Sequence, residues 1–340
     1  MARTMVEHHA FARAGLLGNP SDGYFGRTLS VVLRNFRATV TLEESTELRI
    51  EPDAHDDDVF PNIEELVASV NRQGYYGGAR LVKAAIKTFY DHCDRHDVVL
   101  PSQNFTARYR SSIPRQVGLA GSSAIVTAAL RALMDFFKLD IPREHQANLI
   151  LSAETEELGI TAGLQDRVAQ VYDGLVYMDF SKDLMDDLGH GAYESLDPRL
   201  LPTMFVAHQT QPTKVSGQVL NDLRNRWEQR DAAVLETLDR IAALASNGRD
   251  ALLEGQHEQF ASLMNENFNL RRRIMRIDER DLAMVETART LGSPAKLTGS
   301  GGAIIGVFEG DTMKERIAEQ LGALGVRVIE AETAWRNLNR

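Results

Sequence analysis

The sequence predicts a two-domain protein that contains both helices and strands. Its 340 residues suffice for two domains of ordinary size, each burying its own core. Residues 28–42 are rich in β-branched and apolar side chains in partial alternation, which predicts that the chain opens as a sheet. Residues 296–330 form a glycine turn, an apolar run, a helical pattern and a last apolar run. That order predicts a small mixed sheet with helices on one face.

Composition indicates a soluble globular protein that binds small molecules. Hydrophobic residues make up 43% and charged residues 25% of the chain. The formal charge of -10 argues against general affinity for nucleic acid or for an anionic membrane. Cys93 is the single cysteine, which excludes an intramolecular disulfide and suits a reducing compartment. No signal-peptide core or membrane-span-length apolar run is present, so we expect a cytoplasmic protein. The sequence specifies no oligomeric state.

The first element is an apolar strand that breaks into a turn, within FARAGLLGNPSDGYFG at 11–26. Asn19, Ser21 and Asp22 of this turn can hydrogen-bond sugar hydroxyls. The same residue types are common turn formers, and composition alone favours that interpretation.

The elements that follow lead to a glycine-rich stretch near the middle of the chain. Residues 47–50 are the expected hairpin partner of the strand at 28–42, and the acidic residues 53–58 are expected in a solvated loop. Helical patterns cover 63–70 and 79–92, and strands are expected within 97–113.

The glycine-rich stretch, PRQVGLAGSSAIVTAAL at 114–130, runs directly into an alanine-rich helical pattern. Gly118 and Gly121 permit a backbone in which several N–H groups converge, and the positive end of the helix dipole lies at the same place. Ser122 and Ser123 could cap the helix or offer oxygen to a phosphate-bound magnesium ion. The stretch therefore predicts either a phosphate-binding loop or an ordinary capped helix.

Two common nucleotide-binding designs are excluded. No Gly-Lys-Ser or Gly-Lys-Thr occurs, so the loop is not a Walker-type P-loop. GLAGSS lacks the glycine spacing of a Rossmann turn, and no acidic residue about 20 positions on supports one.

Acidic residues between the glycine-rich stretch and the middle of the chain have two interpretations. Glu154 lies with two further glutamates on a helix expected at 146–158, which is typical of a solvated face. Asp166 follows a glycine-containing loop and opens an apolar run, so it is either a helix cap or a carboxylate directed at a pocket.

The second half of the chain begins after a proline-rich boundary. Pro198 starts PRLLPTMFVAH, and we place the domain boundary just before it, which gives domains 1–197 and 198–340. Arg271, Arg272 and Arg273 are expected on the surface of a helix, with the alternative that one of them faces an anionic ligand. Helical patterns are expected at 219–245, 251–264, 269–291 and 312–324, followed by a last strand at 326–330.

Three of these stretches together resemble a known family. FARAGLLGNPSDGYFG, PRQVGLAGSSA and KLTGSGGAI are similar, in order and spacing, to the three signature motifs of the GHMP kinases, which phosphorylate sugars, mevalonate and homoserine with ATP. Further stretches, such as QGYYGGARL, ELGITAGLQDRVAQVY and MNENFNLRRR, resemble the plant-type glucuronokinase branch. This likeness spans nearly the whole chain.

The resemblance implies an α+β fold with two domains. The N-terminal domain would be ribosomal protein S5 domain 2-like and would bind sugar and ATP phosphates, and the C-terminal domain would be ferredoxin-like. An active site in the cleft between them is the corresponding expectation.

The resemblance also implies roles for residues. Asp166 and Arg13 would be catalytic, as the carboxylate that orients the sugar hydroxyl and the guanidinium that stabilises the transferring phosphoryl. Ser123 and Glu154 would hold Mg²⁺, whereas Asn19, Asp22 and Asp166 would bind the sugar. The ATP phosphates would be held by residues of both glycine loops: Gly118, Leu119, Ala120, Gly121, Ser122, Ser123, Ala124, Thr298, Gly299, Ser300, Gly301 and Gly302.

The resemblance leaves several alternatives for the sugar that accepts the phosphoryl group. Asn19 and Pro20 stand where many sugar kinases have Glu-His, so the sugar contacts of galactokinases do not transfer. Glucuronate is the expected acceptor, with galacturonate, galactose, fucose or a heptose phosphate, or a non-catalytic binding relative, as alternatives. A uronate carboxylate needs a cationic or N–H-rich partner, for which the sequence offers Arg167, Lys214, Arg224 and Arg271.

Overall fold

The computed structural model describes residues 4–51, 77–211 and 217–334. The acidic stretch at 53–58, the helix expected at 63–70 and Lys214 lie outside the described residues. The strands are β1 (Met5–Leu17), β2 (Arg27–Ser45), β3 (Arg49–Glu51), β4 (Asn104–Ser111), β5 (Leu175–Asp179), β6 (Ala192–Leu196), β7 (Met204–Gln209), β8 (Ala295–Leu297), β9 (Ala303–Val307) and β10 (Val326–Glu330).

Helices occupy most of the chain between these strands. Two short 3-10 helices cover Ser21–Tyr24 and Pro198–Leu200. The α-helices are α1 (Gly78–Arg95), α2 (Gly121–Phe137), α3 (Arg143–Thr155), α4 (Gln165–Tyr172), α5 (Lys182–Leu188), α6 (Gly217–Glu228), α7 (Ala232–Leu253), α8 (His257–Ile274), α9 (Glu279–Thr290) and α10 (Gly310–Gly322). This mixture of helices and sheets confirms the α+β class.

The chain divides into two compact units, and each unit takes several segments. The first unit comprises Met1–Phe11, Phe36–Ile113 and Gly121–Ala162. The second comprises Ala12–Asn35, Pro114–Ala120 and Gly163–Arg340.

In the first unit, the end of β2 pairs antiparallel with β4, with Ala38 opposite Ser111 and Ser45 opposite Asn104. β3 pairs parallel with β4, so residues 47–50 are not the hairpin partner of β2 that the sequence predicts. The reason is that β4 pairs along β2 as far as Ser45, so the short β3 adds to the sheet beside β4. Helices α1, α2 and α3 pack against one another.

In the second unit, the start of β2 pairs antiparallel with β5, and β5 pairs antiparallel with β6. A separate four-stranded sheet has the order β10-β7-β9-β8. All of its pairings are antiparallel, so the small mixed sheet expected from the sequence is wrong in this respect. Its apolar face packs against α9 and α10 through a core that includes Phe205, Met284, Ile304 and Leu321.

Helices of the second unit begin and end at positions other than those that the sequence pattern indicates: the helix expected at 219–245 is divided between α6 and α7, and the one expected at 269–291 between α8 and α9. The break expected between 245 and 251 lies inside α7, and the break expected between 264 and 269 lies inside α8. Gly248, which suggests an interruption by its type, is a buried position of α7 that lies close to Leu17 and Phe260. Glycine fits this helix position, whereas a larger side chain would collide with those neighbours.

In the described part of the chain, no helix has both the length and the apolar character needed to cross a bilayer.

Candidate active site

Two glycine loops of the second unit lie against each other. One is formed by residues 114–120, which precede α2, and the other by 298–302, which join β8 to β9. The Thr298 hydroxyl donates to the Gly118 carbonyl oxygen at 3.1 Å. A Cβ added to Gly118 would lie 2.8 Å from the carbonyl oxygen of Gly301, and one added to Gly299 would lie 2.5 Å from that of Gly118. Only glycines allow this approach, and Gly118 has the positive φ of 65° that glycine adopts without strain.

Arg13, on β1, joins both loops to a third segment. This arginine is 5% exposed. Its Nη1 donates to the carbonyl oxygen of Thr298 at 2.7 Å and to that of Gly118 at 3.3 Å. Its Nη2 donates to the Asp166 carboxylate. Three regions that are far apart in the sequence therefore share one guanidinium.

Asp166 lies in the first turn of α4, with two guanidinium groups beside its carboxylate. One oxygen accepts from Arg13, and the other is 3.3 Å from Nη1 of Arg167. The side chain of Asp166 is 20% exposed, so the carboxylate is reachable from solvent. Arg167 is buried and also donates to the carbonyl oxygen of Gly163 at 2.9 Å. The helix-cap interpretation does not apply to Asp166, because Leu164 is the N-cap of α4.

The Asp22 carboxylate lies close to the start of the same helix. It accepts from the backbone N–H of Gln165 at 3.3 Å. Burial, and then the negative charge of Asp166, raise the pKa of Asp22 to about 6. Two carboxyl groups thus lie within electrostatic range of one another at the edge of the site, and Arg13 and Arg167 partly offset their repulsion.

Asn19 is held from two sides by residues that the sequence analysis did not select. Lys296 is 1% exposed, and its ammonium donates to Asn19 Oδ1 at 2.7 Å, to the Gly15 carbonyl at 2.8 Å and to the Leu297 carbonyl at 2.9 Å. Burial lowers the pKa of Lys296 well below its usual value. Asn267 donates to the Asn19 carbonyl oxygen at 3.1 Å and accepts from the Gly18 N–H at 2.8 Å. A lysine within an apolar strand was the signal in the sequence that could have indicated Lys296.

Two buried residues, Arg271 and Asp281, hold the second glycine loop. The sequence predicts a surface position for Arg271 and no role for Asp281. Nη1 of Arg271 donates to the Gly299 carbonyl oxygen at 2.8 Å. Burial lowers the pKa of Arg271 to about 10. Asp281 accepts from the Gly302 N–H at 2.9 Å and from Gln209 at 3.0 Å. Arg272 and Arg273 are exposed, as expected.

The first loop makes further hydrogen bonds within the second unit. The Leu119 carbonyl oxygen accepts from the Arg13 N–H at 3.1 Å, and the Ala120 carbonyl oxygen accepts from Gln170 at 2.9 Å. Ala120 has a positive φ of 60°. Backbone carbonyls of this loop are thus turned toward protein donors.

Ser123 and Glu154, the expected metal ligands, lie in the first unit on α2 and α3. Both are buried, with Glu154 0% exposed. Gly121, Ser122 and Ala124 lie beside Ser123 in the first turn of α2. Within the described ranges, no group of three or more His, Cys, Asp or Glu side chains could hold a metal by itself. A hydroxyl and a carboxylate are nevertheless the oxygen ligands that Mg²⁺ accepts together with phosphate oxygens and water.

The second unit therefore combines a paired arginine and carboxylate, a second carboxylate of raised pKa, and two glycine loops. Such an arrangement can neutralise charge on phosphate oxygens and orient a hydroxyl, which are the requirements of phosphoryl transfer.

Comparisons with known proteins agree with this chemistry. Residues 80–174 match the model of the GHMP kinases N terminal domain, and 249–327 match that of the GHMP kinases C terminal domain. Glucuronokinase 1 of Arabidopsis thaliana is 44% identical over 99% of this chain and 95% of the relative. Probable glucuronokinase 2 of the same plant is 46% identical over 93% of this chain and 88% of the relative.

Solved structures show the same fold at lower identity. Lactococcus lactis galactokinase complexed with galactose has a TM-score of 0.75 and 17% identity, covering 97% of this chain and 93% of that chain. The mevalonate kinase of L. major in complex with R-mevalonate has a TM-score of 0.69 and 19% identity, covering 98% of both chains. The motifs, the fold and these similarities lead to one conclusion: the chain belongs to the GHMP kinase family and is a kinase that transfers phosphate from ATP to a hydroxyl group.

Proposed function

We propose that this kinase transfers the γ-phosphoryl group of ATP to the anomeric hydroxyl of D-glucuronate, which yields glucuronate 1-phosphate. The similarity to the two Arabidopsis thaliana glucuronokinases over nearly the whole chain supports this acceptor. The observation that carries the chemistry is the buried Arg13, which donates to Asp166 and to carbonyls of both glycine loops.

In the proposed reaction, the anomeric oxygen attacks the γ-phosphorus while the bond to the ADP oxygen breaks. Asp166 orients the hydroxyl and takes its proton as the new O–P bond forms, so that ADP leaves with the electron pair. Arg13 offsets negative charge on the phosphoryl oxygens. Because Arg13 is already fixed by Asp166 and two carbonyls, little reorganisation is needed when that charge develops.

Substrate binding is assigned to residues around this pair. Asn19 and Asp22 would bind sugar hydroxyls, and the two loops, Gly118 to Ala124 and Thr298 to Gly302, would bind the ATP phosphates. Ser123 and Glu154 would hold Mg²⁺, since both offer oxygen ligands and both are buried. When bound, Mg²⁺ supplies positive charge to the phosphates.

The domain boundaries and the cellular location of the protein are proposals that rest on the sequence. We retain domains 1–197 and 198–340 as the proposed organisation, with the boundary at Pro198. A cytoplasmic protein that binds ATP and a small sugar or sugar acid, rather than nucleic acid or membrane, is the proposal that composition supports.

Coupled ADP release across a panel of acceptors tests the proposal. We expect release with D-glucuronate and little with galacturonate, galactose, fucose or heptose phosphates at equal concentration. Preferential release with another acceptor would contradict the assignment to glucuronate. ATP binding without release for any sugar would instead support a non-catalytic binding protein.

A further inference from the structure

An aromatic cluster of the second unit adjoins the turn that carries Asn19 and Asp22. Tyr24 and Phe25 follow Asp22 after one intervening glycine, and Trp227 lies on α6. The ring centroids of Tyr24 and Trp227 are 5.5 Å apart, and those of Phe25 and Trp227 are 6.2 Å apart. Phe25 is 41% exposed, so part of this aromatic surface faces solvent.

Arg224, one turn before Trp227 on α6, lies over this cluster. Its guanidinium carbon is 5.3 Å from the centroid of the Tyr24 ring and 5.7 Å from the centroid of the Trp227 ring. Both distances are within the range of cation–π attraction. Arg224 is exposed, and among the described residues it takes part in no ion pair or hydrogen bond. The rings therefore orient a guanidinium whose N–H groups are available to a ligand.

The other arginines and the lysine near the site already have protein acceptors. Arg167 donates to the Gly163 carbonyl and lies beside Asp166, and Arg271 donates to the Gly299 carbonyl. Lys296 donates to three oxygens. Of the cations that the sequence offers for a substrate carboxylate, Arg224 is the exposed one in the described ranges, whereas Arg167 and Arg271 are buried.

Tyr24 connects Arg224 with the proposed sugar site. Burial raises the pKa of Tyr24 to about 12. The positive charge of Arg224 opposes this rise, whereas the negative charges of Asp22 and then Glu228 add to it. Tyr24 shares the 3-10 helix Ser21–Tyr24 with Asp22, and the Arg224 guanidinium carbon is 5.3 Å from the centroid of its ring, which puts the guanidinium close to a proposed sugar ligand.

The chemistry of a uronic acid matches this arrangement. Its carboxylate is attached to C5, across the ring oxygen from the anomeric carbon, whose hydroxyl receives the phosphoryl group. A sugar whose anomeric hydroxyl lies at Asp166 therefore needs a carboxylate partner at another place on the site wall. A guanidinium can bind both carboxylate oxygens at once, and its planar shape also suits stacking on aromatic rings.

We propose that Arg224 binds the carboxylate of the uronic acid acceptor, and that Tyr24 and Trp227 hold its guanidinium in position for this contact. The inference rests on the proposed function and adds the residue that distinguishes a uronic acid from a neutral sugar.

Steady-state kinetics with D-glucuronate and with D-glucuronamide, its uncharged analogue, test this. Arg224→Gln should raise KM for glucuronate about 10- to 100-fold, as expected for the loss of a charge-assisted contact, with a smaller change in kcat. The ratio of kcat/KM for glucuronate to kcat/KM for glucuronamide should fall by the same factor. Arg224→Lys keeps the charge but not the two-pronged geometry, so an intermediate KM is expected.

Lys182→Gln is the matched control. The Lys182 ammonium lies 5.8 Å from the centroid of the Phe25 ring and is exposed, but it is already paired with Asp186. Its replacement removes the same charge from the same cluster and should leave KM for glucuronate within about twofold, because a screened surface charge contributes little.

The outcomes separate this inference from the proposed function. A folded Arg224→Gln protein with the parental KM and preference overturns the inference alone. Equal losses for glucuronate and glucuronamide also overturn it, because they indicate a general change of site shape. Absence of uronic acid turnover in the parent protein overturns the proposed function, and the inference with it.

Discussion

At the scale of single residues, the candidate site is organised by charges that are shared rather than isolated. Arg13 donates to Asp166 and to two backbone carbonyls, so its position is fixed by three segments. Asp166 in turn lies between Arg13 and Arg167. A carboxylate held by two guanidinium groups keeps one orientation, which favours its use as a positioning group for a substrate hydroxyl.

Replacement of this carboxylate tests its role in turnover. Asp166→Asn should lower kcat by about 10²- to 10⁴-fold, because an amide does not accept the proton of the hydroxyl. Binding of an ATP analogue should change only a few-fold. Coupled ADP release and analogue titration measure the two effects. Asp135→Asn, an acid of the first unit paired with His8, is the control and should keep parental kcat. Turnover of Asp166→Asn close to that of the parent would remove Asp166 from this role.

The raised pKa of Asp22 makes stability depend on pH. The folded-state pKa of about 6 exceeds the unfolded value of 3.8, so between these pH values the native state binds the proton more tightly than the unfolded state. Stability contributed by Asp22 is therefore present below pH ~4 and is lost as the pH rises through about 6.

Asp22→Asn should consequently stabilise the protein at pH 7.5, by roughly 3 kcal/mol, and this gain should vanish near pH 4. The amide oxygen can still accept from the Gln165 N–H, so the turn is expected to persist. Urea denaturation at several pH values measures the difference. Glu236→Gln, an exposed acid on α7, should show no such pH-dependent gain. A gain independent of pH would contradict the assignment of the effect to the Asp22 charge.

At the scale of elements, the two glycine loops depend on close backbone approach. The added Cβ distances at Gly118 and Gly299 leave no room for a side chain between the loops. Arg271 and Asp281, from α8 and α9, hold the second loop at its start and end. Neighbouring helices thus support the conformation of a loop that has no regular hydrogen bonding of its own.

Gly118→Ala, compared with a control glycine, tests how much the contact between the two loops contributes beyond backbone strain. Its φ of 65° costs about 1 kcal/mol for any alanine, and the new methyl group would also meet the Gly301 carbonyl. We expect a total loss of about 2–3 kcal/mol in the free energy of unfolding and at least about tenfold weaker binding of an ATP analogue.

The control for this change is Gly255→Ala. Gly255 has a similar φ of 71°, and an added Cβ would meet nothing within 4 Å. That protein should lose only about 1 kcal/mol and keep parental nucleotide affinity. If both variants behave alike, the contact between the loops contributes nothing measurable.

At the scale of the whole molecule, contacts across most of the chain length assemble the site within the second unit. Lys296 reaches the Gly15 carbonyl, 281 positions away in sequence, and Asn19, 277 positions away. Asn267 binds the same turn from α8. The turn that carries Asn19 and Asp22 is therefore held by residues near the other end of the chain.

Lys296→Met tests this long-range connection. Methionine fills similar space but donates no hydrogen bond, so three buried oxygens would lose their donor. We expect a loss of about 3 kcal/mol in stability and a higher KM for the sugar, with a smaller effect on binding of the ATP analogue.

Lys314→Met is the matched control for that change. Lys314 lies over the Phe308 ring and pairs with Glu330, but its side chain is 38% exposed, whereas Lys296 is buried. Its replacement should cost far less stability than Lys296→Met and leave KM unchanged, because a surface ion pair contributes little. A Lys296→Met protein as stable as Lys314→Met would show that the turn does not depend on the buried ammonium.

The sequence by itself determined the features that depend on near neighbours. Glycine turns before a helix or strand, and apolar periodicity, are set by a few adjacent residues, so the two loops and strand β10 at Val326–Glu330 follow from the sequence. The order of three motifs was enough to predict the family, and with it Arg13 and Asp166 as candidates.

Only the tertiary structure decided which charged residues are buried and what they bind. Lys296 and Asp281 carried no role in the sequence analysis, and Arg271 was placed on the surface, because burial depends on partners far away in the chain. The pairing of β3 with β4 has the same cause, since a three-residue strand has no pattern that selects its neighbour. Local patterns fix conformation, whereas the partner of a hydrogen bond or a charge is fixed only when distant segments meet.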